Sequence, residues 1–384
     1  MPKPAWHILT GEYPPTLGGV SDYTRSVARA LADSGDEVHV WAPAPNAALA
    51  EDRGVIAHPL PDRFGPRSLA RLSAELAADP RPKRLLVQYV PHAFGMRAMN
   101  LPFCAWIAAH RRDEIWVMFH EVVFPWSRRQ PWRHNVLAGV TRVMASMLAN
   151  RADRLFVSAP AWNDFLARLI PRPARATWLP IPSNIPSRVL PADVARVRAA
   201  IPRVENAAIV GHFGTYGTIL TPLLADVFKA LLAGPRPRAL LLLGRGGPSF
   251  AREQLPSARV SAPGSLSGEE IALHLAACDI VVQPYVDGVS TRRTTVMASL
   301  ALGVPVVTNE GALSEDLWRR SGAVALAPSP APEAIAFAAE GLLADAEAAR
   351  AVGACGRAVY ERDFSLPRTI EVLRGTRRSA PYRL

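Results

Sequence analysis

The sequence predicts an α/β protein built from two doubly wound domains, each a parallel sheet with helices on both faces. Three observations predict it. Short apolar segments alternate with helix-patterned segments along the chain, as in Trp6-His7-Ile8-Leu9 and Ile280-Val281-Val282, and such alternation builds parallel sheets. The pattern begins twice, on either side of a proline-dense stretch over 171–205. The 384 residues are 49% hydrophobic and 20% charged, enough apolar material for two large cores.

The first half opens as strand, glycine loop and helix. Trp6 to Leu9 is a strand, Thr10 to Gly19 a loop, and Ser21 or Asp22 is positioned to cap a helix reaching about Ser34. Val27, Ala30 and Leu31 share one face of that helix. Gly35 ends it and Glu37 to Trp41 returns as a strand, which completes a βαβ unit. Strands follow at 84–89, 115–119 and 155–157, with helices at about 67–78 and 133–150. The second half repeats the scheme. Strands are expected at 208–211, 239–243, 280–282 and 304–308, and helices at 219–233, 269–277, 293–302, 331–344 and 347–358. Both halves read as Rossmann-like, with a cleft between the domains suited to a nucleotide-linked substrate. The predicted boundaries are 1–190, a linker at 191–205, 206–364, and a basic tail at 365–384 that is a candidate to cross back to the first domain.

Composition excludes several classes. The three cysteines, Cys104, Cys278 and Cys355, are odd in number and far apart, which argues against a disulfide scaffold and a cysteine metal site. The net charge is +11, and only three of the 44 basic residues are lysine. Arginine favours bidentate binding of phosphate or carboxylate. Zinc-finger spacing, an RNA-binding signature and a basic heptad block are not seen, so nucleic acid is not expected as a partner. No run of 18 apolar residues and no signal-peptide pattern is found, so the expected location is cytoplasmic.

In doubly wound sheets, ligands sit beyond the carboxyl ends of the strands, and the unusual residues fall in those loops. Gly18 and Gly19 close the loop after the first strand, where glycine lets backbone N–H groups approach a phosphate at the following helix start. His120 follows an apolar strand, with a pKa that can be tuned near neutrality and a candidate role in orienting a hydroxyl or assisting proton transfer. In the second half, Gly214 lies in Gly211-His212-Phe213-Gly214-Thr215-Tyr216-Gly217, and Arg245 in Gly244-Arg245-Gly246-Gly247. Both loops are candidates for phosphate or sugar contact. The densest stretch is 284–295. There Asp287 is expected to accept from sugar hydroxyls, Ser290 and Thr291 to donate to phosphate, and Arg292 or Arg293 to neutralise a leaving diphosphate. Glu315 is read as a hydroxyl binder or a helix cap. The aromatic and arginine run 124–134 is read evenly as a solvated loop or as a contact for an anionic acceptor or the inner face of a membrane.

Together these loops resemble the retaining glycosyltransferases of the GT-B superfamily, specifically glycosyltransferase family 4. The resemblance is carried by Gly11-Glu12-Tyr13-Pro14-Pro15 through Gly18-Gly19-Val20, by His120, by Ala277-Cys278-Asp279-Ile280-Val281-Val282-Gln283-Pro284, and by Gly303-Val304-Pro305-Val306-Val307-Thr308. It covers about residues 5–365. It implies a GT-B fold and a nucleotide-diphospho-sugar donor held by the second domain. It also implies a glycan, lipid-linked or small-molecule acceptor on the first domain, and front-face retaining transfer without a metal or other cofactor. That route explains why no carboxylate pair of the glycosidase kind is needed.

Two departures stand out. The family usually carries two glutamates with seven residues between them. Here the first falls on Asp287, the second on Ala298, and the spacing is three residues longer. An Asp-Gly-Val-Ser-x-Arg-Arg loop of this kind looks like the mark of a subgroup. The arginine and lysine that family members place after the loop matching 211–217 are replaced by Thr218, Ile219, Leu220 and Thr221. These losses motivate a second reading, a non-catalytic sugar-nucleotide-binding subunit of a glycan assembly system, with a sugar-nucleotide epimerase as a third.

Overall fold

The protein is described by a computed structural model over residues 4–44, 48–170 and 176–376. It divides into two compact units, one from Met1–Ile181 and Thr369–Arg383, the other from Pro182–Arg368. Parts of the predicted proline-rich stretch (171–175) and of the tail (377–384) lie outside the described residues.

The first unit runs β1 (Ala5–Thr10), α1 (Gly19–Asp33), β2 (Val38–Pro43), β3 (Val55–Leu60), α2 (Pro66–Ala78), β4 (Lys83–Tyr89), α3 (Leu101–Ala109), β5 (Glu114–Phe119), α4 (Trp132–Arg151), β6 (Arg154–Val157), α5 (Ala161–Ala167) and β7 (Thr177–Trp178). Its seven strands are ordered β3-β2-β1-β4-β5-β6-β7, and the named pairings are parallel. All six residues of β1 are buried, because a parallel sheet is covered on both faces and its strands read as continuous apolar runs. The helix α1 begins at Gly19, ahead of the predicted Ser21 or Asp22 cap, and no side chain caps it. Ser21 instead donates its hydroxyl to Thr16 O at 2.6 Å. The strand β3 escaped the sequence reading because His58 and Pro59 interrupt its apolar pattern.

The second unit runs α6 (Pro191–Ala200), β8 (Ala208–Phe213), α7 (Thr221–Ala233), β9 (Arg238–Leu243), α8 (Gly247–Gln254), β10 (Val260–Gly264), α9 (Gly268–Ala276), β11 (Ile280–Val282), α10 (Thr294–Leu302), β12 (Val306–Asn309), α11 (Asp316–Ser321), β13 (Ala325–Ala327), α12 (Pro332–Ala344) and α13 (Ala346–Val359), and α14 (Leu366–Arg374) is divided between the units at Thr369. Its six strands are ordered β10-β9-β8-β11-β12-β13. Alternate strand residues serve opposite faces. Val210, Leu240, Leu242 and Val282 join the core under α7 and α12, while Ile209, Leu241, Leu243 and Val281 join the core under α9 and α10.

Residues 191–205, predicted as a linker, do not form an extended connection. They include α6, whose Val194 and Val197 pack on the core of Ile209 and Leu275. Arg198 on α6 donates to Ala277 O at 2.5 Å and to both Asp279 oxygens at 2.8 and 3.0 Å. The predicted tail begins as α14, and its residues from Thr369 group with the first unit, where Arg374 Nε meets Asp36 Oδ2 at 3.0 Å.

Candidate functional site

In both sheets the chain order reverses beside the first strand of the unit, between β1 and β4 and between β8 and β11. Ligands of doubly wound sheets bind at the carboxyl ends of such switch points. The second unit carries a cavity of about 670 Å³ there, lined by His212 to Thr215, Gly217 to Leu220, Gln283, Tyr285 to Asp287 and Arg292 to Thr295. That volume suits a drug-sized ligand.

Two helices begin at this cavity. Gly217, Thr218 and Ile219 precede α7, and Thr294 and Thr295 open α10. Helix N-termini present unpaired N–H groups and positive potential to an anion. Arg292 and Arg293 line the same space. Arg293 pairs with Asp287 and lies over the Tyr285 ring, 4.5 Å from its centroid. Stacking on an aromatic face favours arginine over lysine here. The Tyr285 hydroxyl is 2.9 Å from Thr295 Oγ1, and burial pushes its pKa up to about 12. Tyr285 went unnoticed in the sequence, although its place between a buried strand and the arginine pair was a usable signal.

The loop that bears Asp287 is held from behind by residues 309–315. Asn309 Oδ1 accepts from Tyr285 N at 2.8 Å, and its Nδ2 donates to Tyr285 O at 2.8 Å. Leu313 N donates to Asp287 O at 2.9 Å. Gly288 has φ +84°, and a Cβ there would stand 2.3 Å from Gly311 N. Only glycine permits both the left-handed conformation and this backbone contact.

Four candidate contacts, at Glu315, at Ser290 with Thr291, at Gly214 and at Arg245, are engaged within the protein or lie off the cavity. The Glu315 carboxylate is engaged within the protein. Both oxygens accept from Thr291 N at 3.1 Å, while Oε1 also accepts from Thr291 Oγ1 and Oε2 from Trp318 Nε1, each at 2.8 Å. Thr291 is thereby paired with Glu315, and neither Ser290 nor Thr291 lines the cavity. Gly214 lines it, but its N–H donates to Leu243 O at 3.1 Å. Its glycine is sterically useful instead: a Cβ on Gly244 already falls 2.1 Å from Gly214 O, so the two loops touch backbone to backbone. Arg245 is exposed and is not among the residues around the cavity. Ala298 is fully buried in the core, so no carboxylate stands at that position.

In the first unit the loop after β1 is pinned. Tyr13 donates its hydroxyl to Asp52 Oδ2 at 3.1 Å, and Arg25 Nε reaches the same oxygen at 2.8 Å. The steric need for glycine lies at Gly11, where a Cβ would meet Ala93 backbone at 2.6 Å. At Gly19 nothing lies within 4 Å, and at Gly18 only the end of the Glu12 side chain comes closer than 3.4 Å. Gly18 and Gly19 therefore leave an open helix start rather than fill a crowded turn.

His120 sits at the end of β5, 9% exposed, with the Tyr23 ring of α1 edge-on at 5.0 Å. Its Nε2 is 2.7 Å from Gln88 Oε1 on β4. Burial lowers its pKa to about 3, so its surroundings tune it away from neutrality. The ring is neutral, donates through Nε2 and keeps Nδ1 as a lone pair. The neighbouring Glu121 faces His92 at 3.7 Å. In the run 124–134, Asn135 ties the backbone at Ser127 and the Gln130 side chain, while Trp126 and Trp132 stand 60% and 79% exposed.

Among the described residues, no group of three or more His, Cys, Asp or Glu side chains is placed to hold a metal ion. No described helix is long and apolar enough to cross a membrane.

Known proteins match this geometry. Residues 18–182 match a family described as "Glycosyl transferase 4-like domain", and residues 208–345 match "Glycosyl transferases group 1". Solved structures of similar fold include sucrose-phosphate synthase from Thermosynechococcus elongatus, with 18% identity, 97% of this chain and 98% of that one covered, and a TM-score of 0.70. Anabaena HepE in complex with UDP-glucose has 15% identity, 97% and 98% coverage and a TM-score of 0.66. A glycosyltransferase from Rickettsia africae has 14% identity, 97% coverage of each chain and a TM-score of 0.71. No curated protein matches the chain.

Proposed function

We propose that this chain, a family-4-like glycosyltransferase of the GT-B fold, moves a sugar from a nucleotide-diphospho-sugar to a hydroxyl acceptor with retention of anomeric configuration. The observation that carries the donor reading is the cavity at the β8/β11 switch point, where two helix starts and two arginines converge. Similar solved structures are complexes with UDP, UDP-glucose and UDP-2-fluoro glucose. In this chain the diphosphate is held by the N–H groups before α7 and at the start of α10, and by Arg292 and Arg293. Those arginines stand in for the cations missing from 218–221. Asp287 accepts from the sugar. Loops of the Asp-Gly-Val-Ser-x-Arg-Arg type thus form a subgroup that moves its diphosphate clamp from one loop to another.

The reaction is a front-face transfer. The acceptor oxygen forms its bond to the anomeric carbon as the bond from that carbon to the diphosphate oxygen breaks. The acceptor proton passes to the departing phosphate oxygen, and a nucleoside diphosphate leaves. The first unit supplies acceptor contacts, with His120 accepting a hydroxyl through Nδ1. The acceptor is a glycan, a lipid-linked sugar or a small metabolite. Exposed Trp126 and Trp132 beside Arg128, Arg129 and Arg133 support peripheral contact with an anionic membrane from the cytoplasmic side.

A thermal-shift panel of uridine, guanosine, adenosine, cytidine and thymidine diphosphate sugars tests the donor. One class is expected to raise the melting temperature by linkage. No shift from any class counts against both readings, and a shift without turnover over the acceptor classes favours the second, an assembly subunit that binds a sugar nucleotide. Arg292→Ala and Arg293→Ala, taken singly, are expected to include one loss in kcat/KM of about 10²–10³-fold. Losses below about threefold for both would remove the arginine clamp. Co-sedimentation with phosphatidylglycerol vesicles, reduced by Trp126→Ala with Trp132→Ala and absent with phosphatidylcholine, is the result expected for membrane contact.

A further inference from the structure

At the carboxyl end of the second sheet, β8 and β11 part. Their ladder pairs Val210 with Ile280 and Gly211 with Val281, then stops. Beyond it two side chains bridge the opening in opposite directions. His212 Nδ1 lies 2.9 Å from Val282 O, and Gln283 Nε2 donates to Phe213 O at 2.9 Å.

A carbonyl oxygen only accepts, so both orientations are fixed. The His212 proton is on Nδ1, and the Gln283 amide turns its NH₂ towards Phe213. What remains is a pair of acceptors, His212 Nε2 and Gln283 Oε1, and neither has a partner. Both residues are 1% exposed and both line the cavity. Burial lowers the His212 pKa to about 4, so above that pH the Nε2 atom keeps its lone pair. The edges of Tyr216 and Phe228, at 5.3 and 5.7 Å, hold the ring. A Cβ on Gly214 would stand 2.9 Å from Nε2, so glycine there spares the acceptor a steric clash.

Buried acceptors are nearly always paired, and leaving two unpaired is costly. Phosphate cannot pair them, because its oxygens are acceptors and carry negative charge. A hydroxyl can. We propose that His212 Nε2 and Gln283 Oε1 form a hydroxyl-binding subsite on the floor of the cavity, which selects the donor by one or two hydroxyls of its sugar or its ribose. The inference rests on the donor reading of this cavity and adds the specificity contacts within it.

Titration calorimetry of the full chain with UDP, UDP-glucose, GDP and GDP-mannose tests it, using wild type, Gln283→Met and Gly214→Ala. The first variant removes an acceptor, and the second crowds the other with a methyl group. Melting temperatures show that each variant is folded, and either variant alone suffices. Sugar recognition predicts a loss of about tenfold in affinity for the nucleotide sugar with the plain nucleotide unchanged. Ribose recognition predicts equal losses for both, and weak binding of dUDP or dGDP to wild type. Wild-type binding that neither variant weakens overturns the subsite and leaves the donor reading standing. Failure of every probe to bind wild type overturns both.

Discussion

Each unit places a histidine and a glutamine on neighbouring strands at the carboxyl end of its sheet, and the two pairs are wired differently. In the first unit His120 and Gln88 bond to each other at 2.7 Å. The histidine lone pair at Nδ1 and the amide Nε2 remain, one acceptor and one donor, and Gln88 Nε2 has no partner. In the second unit His212 and Gln283 each bond to a backbone carbonyl of the other's strand, and two acceptors remain. Identical residue types therefore present different chemistry. The first pair suits a hydroxyl that must both give and take a hydrogen bond, as a reacting acceptor does. The second suits hydroxyls that only need to be held.

The largest expected effect separates the glycine loops of the two units. Gly288→Ala should lose about 3 kcal/mol, from its left-handed backbone and the contact with Gly311. Gly19→Ala should stay within about 0.5 kcal/mol, since nothing lies near its missing Cβ. Urea denaturation reads both, and equal losses would break the contrast between a crowded donor loop and an open helix start.

Next is Glu315→Gln. The amide keeps the shape but loses part of the carboxylate's pairing with Thr291 and Trp318. Stability should fall by about 1–3 kcal/mol, and nucleotide affinity should fall with it. A change in affinity with unchanged stability would return Glu315 to the ligand-binding residues.

The histidines make a pH prediction common to both units. Burial lowers His7 and His120 to about 3, and His58 and His212 to about 4. A depressed pKa means the unfolded chain takes up protons first. Their stabilisation is complete above about pH 6.5 and is lost as pH falls towards 4, by up to about 1.4 kcal/mol per pH unit for each group. Melting temperature should drop over that window. The kcat profile should show no inflection from His120 between about pH 6 and 7, and an inflection lost in His120→Asn would contradict the neutral ring.

The smallest effect sharpens the opening contrast. Gln88→Met should lower kcat by about three- to tenfold through a less firmly held His120 while leaving nucleotide affinity unchanged. Gln283→Met should do the reverse. If both variants move the same parameter, the two pairs do not divide acceptor and donor between them.

Much of the fold was legible because its signals are local. Apolar runs such as Leu85-Leu86-Val87 and Ala239 to Leu243 can only be strands buried on both faces, and Gly35 and Gly303 end their helices with positive φ. The donor loop at 284–295 was also legible, through Asp287 and the arginine pair beside a small-residue helix. The strand β3 was not, since its outer position tolerates His58 and Pro59. Within the site the sequence named Thr291, Glu315 and Gly214 as ligand contacts, and missed Tyr285, Gln88 and Gln283. The lost signal was a polar residue ending a buried strand, present at both Gln88 and Gln283.

The sequence alone thus determines two α/β units and the loops in which chemistry must lie, because strand and helix periods are written in neighbouring residues. Which polar atoms in those loops face a ligand depends on partners distant in the chain. Thr291 is satisfied by Glu315, 24 residues away, and His212 and Gln283 are each oriented by a carbonyl 70 residues away. A hydrogen bond made inside the protein removes a group from ligand binding, and no local pattern records where that bond is made.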